Sequence, residues 1–236
     1  MLSLLLPRTC LNCSEHIGSK YGDELLEKYL CVNCSRVFHL LSIPTEDDII
    51  DKQHRFESIG AEVNITGAFK FSESDNIVQT LIHHAKYHSM VKLATTLGEL
   101  AAVRLPTDYL NYDYIVPIPL HRTRMAERGY NQAEKIAEGL SKFLSVPVAK
   151  RSLLRRVKAT PTQTGLTADE REDNVRDAFA LSNDNSDLKD KRLILIDDVM
   201  TTGATMASAA HELDKAEPAE IAVVSVSIVT DSPSLM

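Results

Sequence analysis

The sequence lacks several features that would assign a protein to a specialised class. It has no tryptophan, which excludes little, and no apolar run long enough for a transmembrane helix. The apolar stretch at residues 2–6 is short, has no basic residues before it and runs into Pro7 and Arg8, so we do not interpret it as a signal peptide. We therefore expect a cytoplasmic protein without membrane insertion.

Positive charge is scarce relative to negative charge. The 236 residues include 26 basic and 33 acidic side chains, which gives a formal net charge of −7. This balance argues against broad, non-specific binding of nucleic acids. Two local runs depart from it, because residues 150–158 hold five basic groups and no acidic one, and residues 121–128 contain three arginines beside Glu127. Either run suits a bound polyphosphate or a DNA strand, and a solvated surface is the alternative.

Cysteine is absent after position 34, and the four cysteines before that point form two pairs. Cys10 and Cys13 make one Cys-x-x-Cys motif and Cys31 and Cys34 make another, with seventeen residues between them. Two such pairs are typical of a structural Zn²⁺ site, because four thiolates complete a tetrahedral shell around a metal that prefers soft ligands. We expect a zinc finger over residues 1–40, and two disulfides in a secreted module are the alternative.

The most informative segment is the stretch 193–205. Four apolar residues, Leu193–Ile196, predict a strand buried on both faces, and Asp197 and Asp198 follow at its carboxyl end. A loop of small and hydroxyl-bearing residues comes next, and apolar residues at helical spacing follow it. The loop consists of Thr201, Thr202, Gly203, Ala204 and Thr205. It is neither a Walker loop nor a dinucleotide fingerprint, because it contains no Gly-Lys-Ser/Thr and no Gly-x-Gly-x-x-Gly.

The order of strand, acid pair, loop and helix is suited to holding a sugar phosphate. The amino end of a helix carries partial positive charge, and backbone N–H groups and threonine hydroxyls donate to phosphate oxygens. Gly203 lets the backbone approach the anion without an intervening Cβ. We predict that residues 201–205 bind a 5-phosphate, and that Asp197 and Asp198 accept hydrogen bonds from the vicinal hydroxyls of a ribose.

Strand-like and helix-like segments alternate along the chain. Strands are predicted at 65–71, 114–116, 147–149, 193–196 and 221–229, and helical stripes at 77–85, 93–101, 133–140 and 205–216. This alternation predicts an α/β fold with a doubly wound, mostly parallel sheet and a ligand beyond the carboxyl ends of its strands. Residues 41–62 are predicted to be a linker, and the polar segment 158–180 is a candidate lid.

The stretch 193–205 resembles the phosphoribosyl pyrophosphate (PRPP) binding motif of type I phosphoribosyltransferases. The likeness extends to further motifs, and with the cysteines it covers nearly the whole chain, from Cys10 to about Val229. These motifs are Val116–Arg122, Arg128-Gly129-Tyr130-Asn131-Gln132, Gln163–Leu166, Glu170-Arg171 and Asn174. On this likeness the sequence is identified as a member of the competence protein F family, which includes ComFC and GntX-like proteins.

The resemblance implies that residues 63–236 form a phosphoribosyltransferase-like domain that binds PRPP with Mg²⁺ and is linked to DNA uptake in natural transformation. Catalysis would then depend on Asp197 and Asp198. The resemblance assigns the diphosphate to the loop after Val116 and to cations near it, with a lysine after the first helix as a further candidate. The residues of this diphosphate side are Lys86, Ile118, Pro119, Leu120, Arg122 and Arg128.

Three classes of function remain open. The first is a phosphoribosyltransferase, a glycosyltransferase whose acceptor the sequence does not identify. The second is a non-catalytic accessory protein that uses the same fold to bind single-stranded DNA and the finger to contact a competence helicase. The third is a regulatory protein that binds PRPP or a related sugar phosphate without turnover. For His83, His84 and His88 we favour phosphate contact or solvent exposure over metal binding.

Overall fold

Four parallel strands form the centre of the molecule. The computed structural model describes residues 8–17, 25–71, 76–88, 90–158 and 177–230. Its strands are β1 (Glu62–Phe71), β2 (Tyr114–Pro117), β3 (Leu154–Arg156), β4 (Phe179–Leu181), β5 (Arg192–Met200) and β6 (Glu220–Val229). The main sheet has the order β1-β6-β5-β2 and all its neighbours are parallel, whereas β3 and β4 form a separate antiparallel pair.

Helices connect these strands. They are α1 (Val32–His39), α2 (Glu46–Gln53), α3 (Asn76–Tyr87), α4 (Val91–Ala102), α5 (Arg122–Arg128), α6 (Gln132–Leu144) and α7 (Ala204–Asp214). Short 3-10 turns lie at His54–Phe56, Thr107–Asn111 and Ser186–Leu188. In the described ranges, no helix combines the length and the apolar character needed to cross a bilayer.

Both faces of the sheet are apolar, and helices cover each of them. Ile194 and Ile196 of β5 belong to one core cluster, which includes buried residues of α3, α4 and α6. Leu193 and Leu195 of the same strand belong to a second cluster, with buried residues of α7. This alternation along a strand is the period-two pattern that places successive side chains on opposite faces. The predicted doubly wound, mostly parallel α/β fold is confirmed.

Helices α4 and α6 cross at unusually short range because each has a glycine at the crossing. A Cβ on Gly98 would lie 2.0 Å from the carbonyl oxygen of Ile136, and a Cβ on Gly139 would lie 2.1 Å from that of Thr95. Both glycines are therefore required by packing. The crossing fixes α6 on the sheet, and the first residues of α6 lie at the candidate site described below.

Several element boundaries differ from the predicted ones. Strand β5 continues to Met200, so that the acid pair lies inside the strand rather than after it, and α7 begins at Ala204. The predicted strand at 147–149 makes only one parallel bridge, between Val148 and Ile115. Helix α5 was not predicted. None of its seven residues is buried, so the helix has no apolar stripe that a search for hydrophobic periodicity would detect.

The range 41–62, predicted as a linker, contains helix α2 and a 3-10 turn. Thr45 N donates to Asp48 Oδ2 at 2.9 Å, which forms a capping box that starts the helix. Ile49 and Phe56 are buried in the core cluster that contains α7. The backbone N–H groups of Gly60 and Ala61 then donate to the Asp214 carboxylate at 2.9 and 3.0 Å. This segment therefore packs along α7.

The N-terminal segment packs against the main sheet and its helices. Cys10, Cys31, Cys34 and Phe38 belong to the same core cluster as α3 and α4. The ring centroids of Phe38 and Phe69, which lies on β1, are 4.7 Å apart. The cysteine-bearing segment is therefore buried in a core that it shares with the sheet. The predicted boundaries between finger, linker and main domain, at residues 40 and 62, stay a prediction.

Candidate functional site

A cavity of about 450 Å³ lies at the carboxyl ends of the parallel strands. Each strand of the main sheet, or the loop directly after it, contributes to its wall. The predicted residues that line it are Lys86, Ile118, Leu120, Arg128, Asp197, Asp198 and all of 201–205. Pro119 and Arg122 do not line it. The structure therefore brings the loop, the acid pair and most residues of the diphosphate side together in one cavity.

The loop 201–205 forms the amino end of α7. Gly203 is the N-cap residue and has φ +82°, a left-handed conformation that glycine adopts without strain. Ala207 N donates to Gly203 O at 2.9 Å, which is the first hydrogen bond of the helix. The helix end and its N–H groups thus lie at the cavity wall, where a bound anion would be stabilised.

The two aspartates differ in their surroundings. Asp198 is 4% exposed. Its Oδ1 lies 2.8 Å from Lys86 Nζ, and its Oδ2 has no hydrogen-bond partner within the described part of the chain. Asp197 Oδ1 accepts from the backbone N–H of Asp198 at 2.8 Å. Burial, and then the charge of Asp198, raise the pKa of Asp197 to about 7, against the opposing effect of Lys86. The pair therefore offers an unpaired acceptor oxygen on Asp198 and a carboxyl on Asp197 whose pKa lies near neutrality.

The start of α6 holds the loop after β2 in place. Ile118 N donates to Ile196 O at 2.9 Å, which extends the β2–β5 pairing by one bond. Asn131 Nδ2 donates to Ile118 O at 2.9 Å, and Asn131 is 1% exposed. Tyr130 donates its hydroxyl to the carbonyl of Ala85, next to Lys86. The Arg-Gly-Tyr-Asn-Gln motif therefore positions two walls of the cavity.

Two arginines of the cavity, Arg124 and Arg156, were not among the predicted site residues, whereas Arg128 was. Arg124 and Arg128 are four residues apart on α5, so they share a helix face, and both line the cavity. Arg122 lies two residues from Arg124, on another side of the helix. This spacing explains why only two of the three arginines reach the site. The four-residue spacing of Arg124 and Arg128 is present in the sequence, but it indicates a shared face only once α5 is known to be a helix.

Arg156 is the second missed residue. It lies on β3, lines the cavity, and its charge acts on Asp197. Burial lowers the pKa of Arg156, and the charge of Asp197 opposes that shift. In the same run Lys150 is exposed and Arg151 pairs with Glu134 at 2.9 Å. The alternation of a strand could have separated Arg156 from the others, because it falls on the same side of β3 as the buried Leu154.

The three histidines do not form a metal site. His83 lines the cavity, and its ring centroid lies 4.7 Å from that of Tyr87. The rings of His84 and His88 are also 4.7 Å apart. Burial, followed by the charges of His88 and His83, lowers the pKa of His84. Of the described residues, the one group of three or more potential ligands is the four-cysteine cluster.

The four cysteines form a compact cluster of free thiols. Their Sγ atoms all lie within 4.8 Å of one another, and Cys13 Sγ is 3.6 Å from Cys31 Sγ. A tetrahedral zinc with Zn–S bonds of ~2.3 Å separates its sulfur ligands by roughly 3.8 Å. The cluster thus fits a Cys₄ zinc site, and Cys10, Cys31 and Cys34 are buried. All four cysteines are free thiols, so the described residues do not contain the two disulfides of the alternative.

Several predicted motifs lie outside the described residues. These are Gln163–Leu166, Glu170-Arg171 and Asn174, together with most of the candidate lid at 158–180.

Comparison with known proteins agrees with the fold. A family model described as a phosphoribosyl transferase domain matches residues 125–232. Competence protein F of Haemophilus influenzae is 39% identical over 219 residues, which are 91% of this chain and 87% of that protein. DNA utilization protein YhgH of Escherichia coli K12 is 32% identical over 56% of this chain and 59% of its own length. Competence protein ComFC of Bacillus subtilis is 32% identical over 45% of this chain and 41% of its own length.

Proposed function

The chain belongs to the competence protein F family and carries a phosphoribosyltransferase-type fold, and from this premise we propose that it binds PRPP with Mg²⁺. The 5-phosphate binds at residues 201–205, and the ribose binds at Asp197 and Asp198. The observation that carries the proposal is the cavity itself, since one wall has the amino end of α7 and the acid pair, and the others have cationic side chains. These cations are Lys86, Arg124, Arg128 and Arg156.

The distribution of charge matches the two ends of PRPP. The loop at α7 offers N–H groups and threonine hydroxyls to a monophosphate. The diphosphate carries more negative charge and faces the loop at Ile118–Leu120 with Arg124 and Arg128. If the protein turns over, transfer passes through an oxocarbenium-like state, and bound Mg²⁺ shields the charge of the departing diphosphate. The chain's own residues supply cations and positioned donors rather than a nucleophile.

A calorimetric titration tests this proposal. PRPP with Mg²⁺ is titrated into the wild type, Asp198→Asn, and Asp184→Asn, whose side chain is 82% exposed and remote from the cavity lining. We expect Asp198→Asn to weaken binding about tenfold or more, which corresponds to about 1.4 kcal/mol, and Asp184→Asn to bind normally. Equal affinity in all three would remove the assigned site. Release of diphosphate from PRPP in the presence of added nucleobases then separates an enzyme from a binding protein.

A structural zinc bound by Cys10, Cys13, Cys31 and Cys34 is part of the proposal. Four thiolates leave no open coordination position, so the metal would stabilise the N-terminal segment without acting on a substrate. Elemental analysis of the purified chain is expected to give about one zinc per molecule. A metal-free protein with oxidised thiols would contradict it.

A second candidate function is binding of single-stranded DNA, with the finger as the contact for a competence helicase. The observation that favours it is that the two basic runs lie side by side. Arg151 Nη2 is 3.4 Å from Met125 Sδ of α5, and Arg151 also pairs with Glu134. The contact joins the 150–158 run to the 121–128 run at the edge of the cavity. DNA binding that falls steeply with salt and that PRPP displaces would support this candidate, and no DNA binding at low salt would exclude it.

A further inference from the structure

Gln132, the first residue of α6, is buried at the cavity wall with an unused hydrogen-bond acceptor. It is 5% exposed and lines the cavity, and its Oε1 atom has no partner among the described residues. Buried polar atoms are almost always paired, because an unpaired one loses its hydrogen bonds to water without replacement. An unpaired acceptor in a cavity wall is therefore a place where a ligand supplies the missing donor.

Two hydrogen bonds tie the amino end of α6, where Gln132 lies, to β5 next to the acid pair. Asn131 Nδ2 donates to Ile118 O, and Ile118 N donates to Ile196 O, each at 2.9 Å. The amino end of α6 is thereby tied to β5 at the residue directly before Asp197. The backbone under Gln132 is fixed by a side chain that is itself buried, so the position of its amide is preorganised.

The acid pair contains a second acceptor of the same kind. Asp198 Oδ2 is buried and has no partner in the described ranges, while Asp198 Oδ1 is held by Lys86. A phosphate group cannot satisfy these atoms, because its ionised oxygens only accept hydrogen bonds. A hydroxyl donates one. Two buried acceptors that line one cavity therefore match the hydroxyls of a sugar ring, whereas the cations of the cavity match its phosphates.

We propose that Gln132 is a specificity-determining residue whose Oε1 accepts a hydrogen bond from one of the vicinal hydroxyls of a bound phosphorylated pentose, beside Asp198. The inference rests on the proposed function, since it requires a pentose phosphate in this cavity. It adds that the protein discriminates against pentoses that lack the contacted hydroxyl. Discrimination of this type is large when a buried group of the protein is left unpaired by the wrong ligand.

The experiment uses the ligand without its diphosphate. Ribose 5-phosphate and its 2-deoxy and 3-deoxy analogues are titrated into the wild type, Gln132→Met and Gln53→Met. Methionine has a similar length and no amide, and Gln53 is a matched control because it is exposed at the end of α2 and does not line the cavity. We expect the wild type and Gln53→Met to prefer ribose 5-phosphate about tenfold over both analogues. Gln132→Met should bind ribose 5-phosphate about tenfold more weakly and lose discrimination against one analogue.

Thermal unfolding without ligand gives an independent readout. If Oε1 is unpaired in the ligand-free protein, Gln132→Met replaces an unpaired buried acceptor by an apolar group and raises Tm. If Gln132 has a structural role, the same change lowers Tm. A lower Tm overturns the inference. So does an unchanged affinity for ribose 5-phosphate, or an equal loss of affinity for inorganic phosphate. If the folded wild type binds no pentose phosphate, the proposed function fails and this inference fails with it.

Discussion

Lys86 Nζ lies 2.8 Å from Asp198 Oδ1, in an ion pair between the end of α3 and the end of β5 whose side chains are 22% and 6% exposed. Lys86 was predicted to face the diphosphate, and its described partner is a carboxylate of the acid pair. The contact occupies one oxygen of Asp198, and the other has no hydrogen-bond partner among the described residues. Lys86 therefore orients the acid pair, and it does so from a helix that Tyr130 anchors at Ala85.

Removing Lys86 is expected to destabilise the fold as well as weaken PRPP binding. Lys86→Met leaves the Asp198 charge without its partner, and the expected loss is about 1–3 kcal/mol, below the range for fully buried pairs because the lysine is partly exposed. Adding Asp198→Asn to Lys86→Met should restore most of the lost free energy of unfolding, but it should not restore the affinity for PRPP. Urea unfolding of the two single variants and the double variant measures the coupling.

The matched control for this cycle is Lys142→Met. Lys142 pairs with Glu99 at 2.6 Å, but it is 73% exposed, so the change should stay within about 0.5 kcal/mol. Equal destabilisation by Lys86→Met and Lys142→Met would contradict the special position of the Lys86–Asp198 pair.

The parts of the site that follow from sequence are those built from consecutive residues. The acid pair and the loop 201–205 belong to one short segment, so their strand-loop-helix pattern already fixed their arrangement in space. The apolar runs at Leu193–Ile196 and 221–229 predicted central strands for the same reason, since every residue of each run except Val229 is buried.

The parts that sequence analysis missed depend on contacts between distant elements. Arg156 lines the cavity together with Asp197, and the alternation along β3 places it on the same side as the buried Leu154 without showing that this strand lies at the cavity. Arg122 is a prediction from the family resemblance, and Arg124 was missed because the seven-residue helix α5 has no apolar stripe that would reveal which arginines share a face. Residues 41–62, which contain α2, are predicted to be a linker because the run at 46–51 is acidic and has no long apolar stripe, although acidic residues in a first turn also favour a helix start.

Stability is expected to depend on pH through Asp197. The pKa of this carboxyl is raised from its ordinary value of 3.8 to about 7, by burial first and by Asp198 second, with Lys86 and Arg156 opposing. Between these two values the folded chain binds more protons than the unfolded chain, so the contribution of Asp197 to stability falls as the pH rises from about 4 to about 7. Asp197→Asn removes the ionisation and should raise stability at pH 8 by up to about 4 kcal/mol, with little change at pH 4.

Urea unfolding at several pH values checks this sign. The exposed Asp184→Asn is the control, and its pH profile should run parallel to that of the wild type. A profile of Asp197→Asn that also runs parallel to the wild type would show that the carboxyl titrates normally in the folded chain.

The shared core of the N-terminal segment gives a third prediction. Phe38 is 1% exposed and its ring packs on Phe69 of β1. Phe38→Ala should lower the free energy of unfolding by about 3–5 kcal/mol, whereas Val37→Ala, at a neighbouring side chain that is 47% exposed, should change it little. Far-UV circular dichroism in urea should show one transition for the wild type, because the segment and the sheet share a core. An early separate transition that Phe38→Ala leaves unchanged would contradict this.

Gly203 and Gly129 allow the phosphate loop to be tested against a control with the same backbone conformation. Their φ angles are +82° and +76°, and a Cβ would meet nothing closer than 3.7 Å at Gly203 and nothing within 4 Å at Gly129. Alanine at either position is therefore strained by φ and not by contacts, at a similar cost of about 1 kcal/mol.

The two variants should differ in ligand affinity. At Gly203 the strain is relieved by rotating the peptide units at the amino end of α7, which turns their N–H groups away from the anion. At Gly129, the C-cap residue of α5, the same relief leaves the loop at α7 unchanged. Gly203→Ala should weaken binding of ribose 5-phosphate about tenfold, and Gly129→Ala less than threefold, in calorimetric titrations. Equal losses would mean that stability alone limits binding, and the amino end of α7 would no longer be the phosphate site.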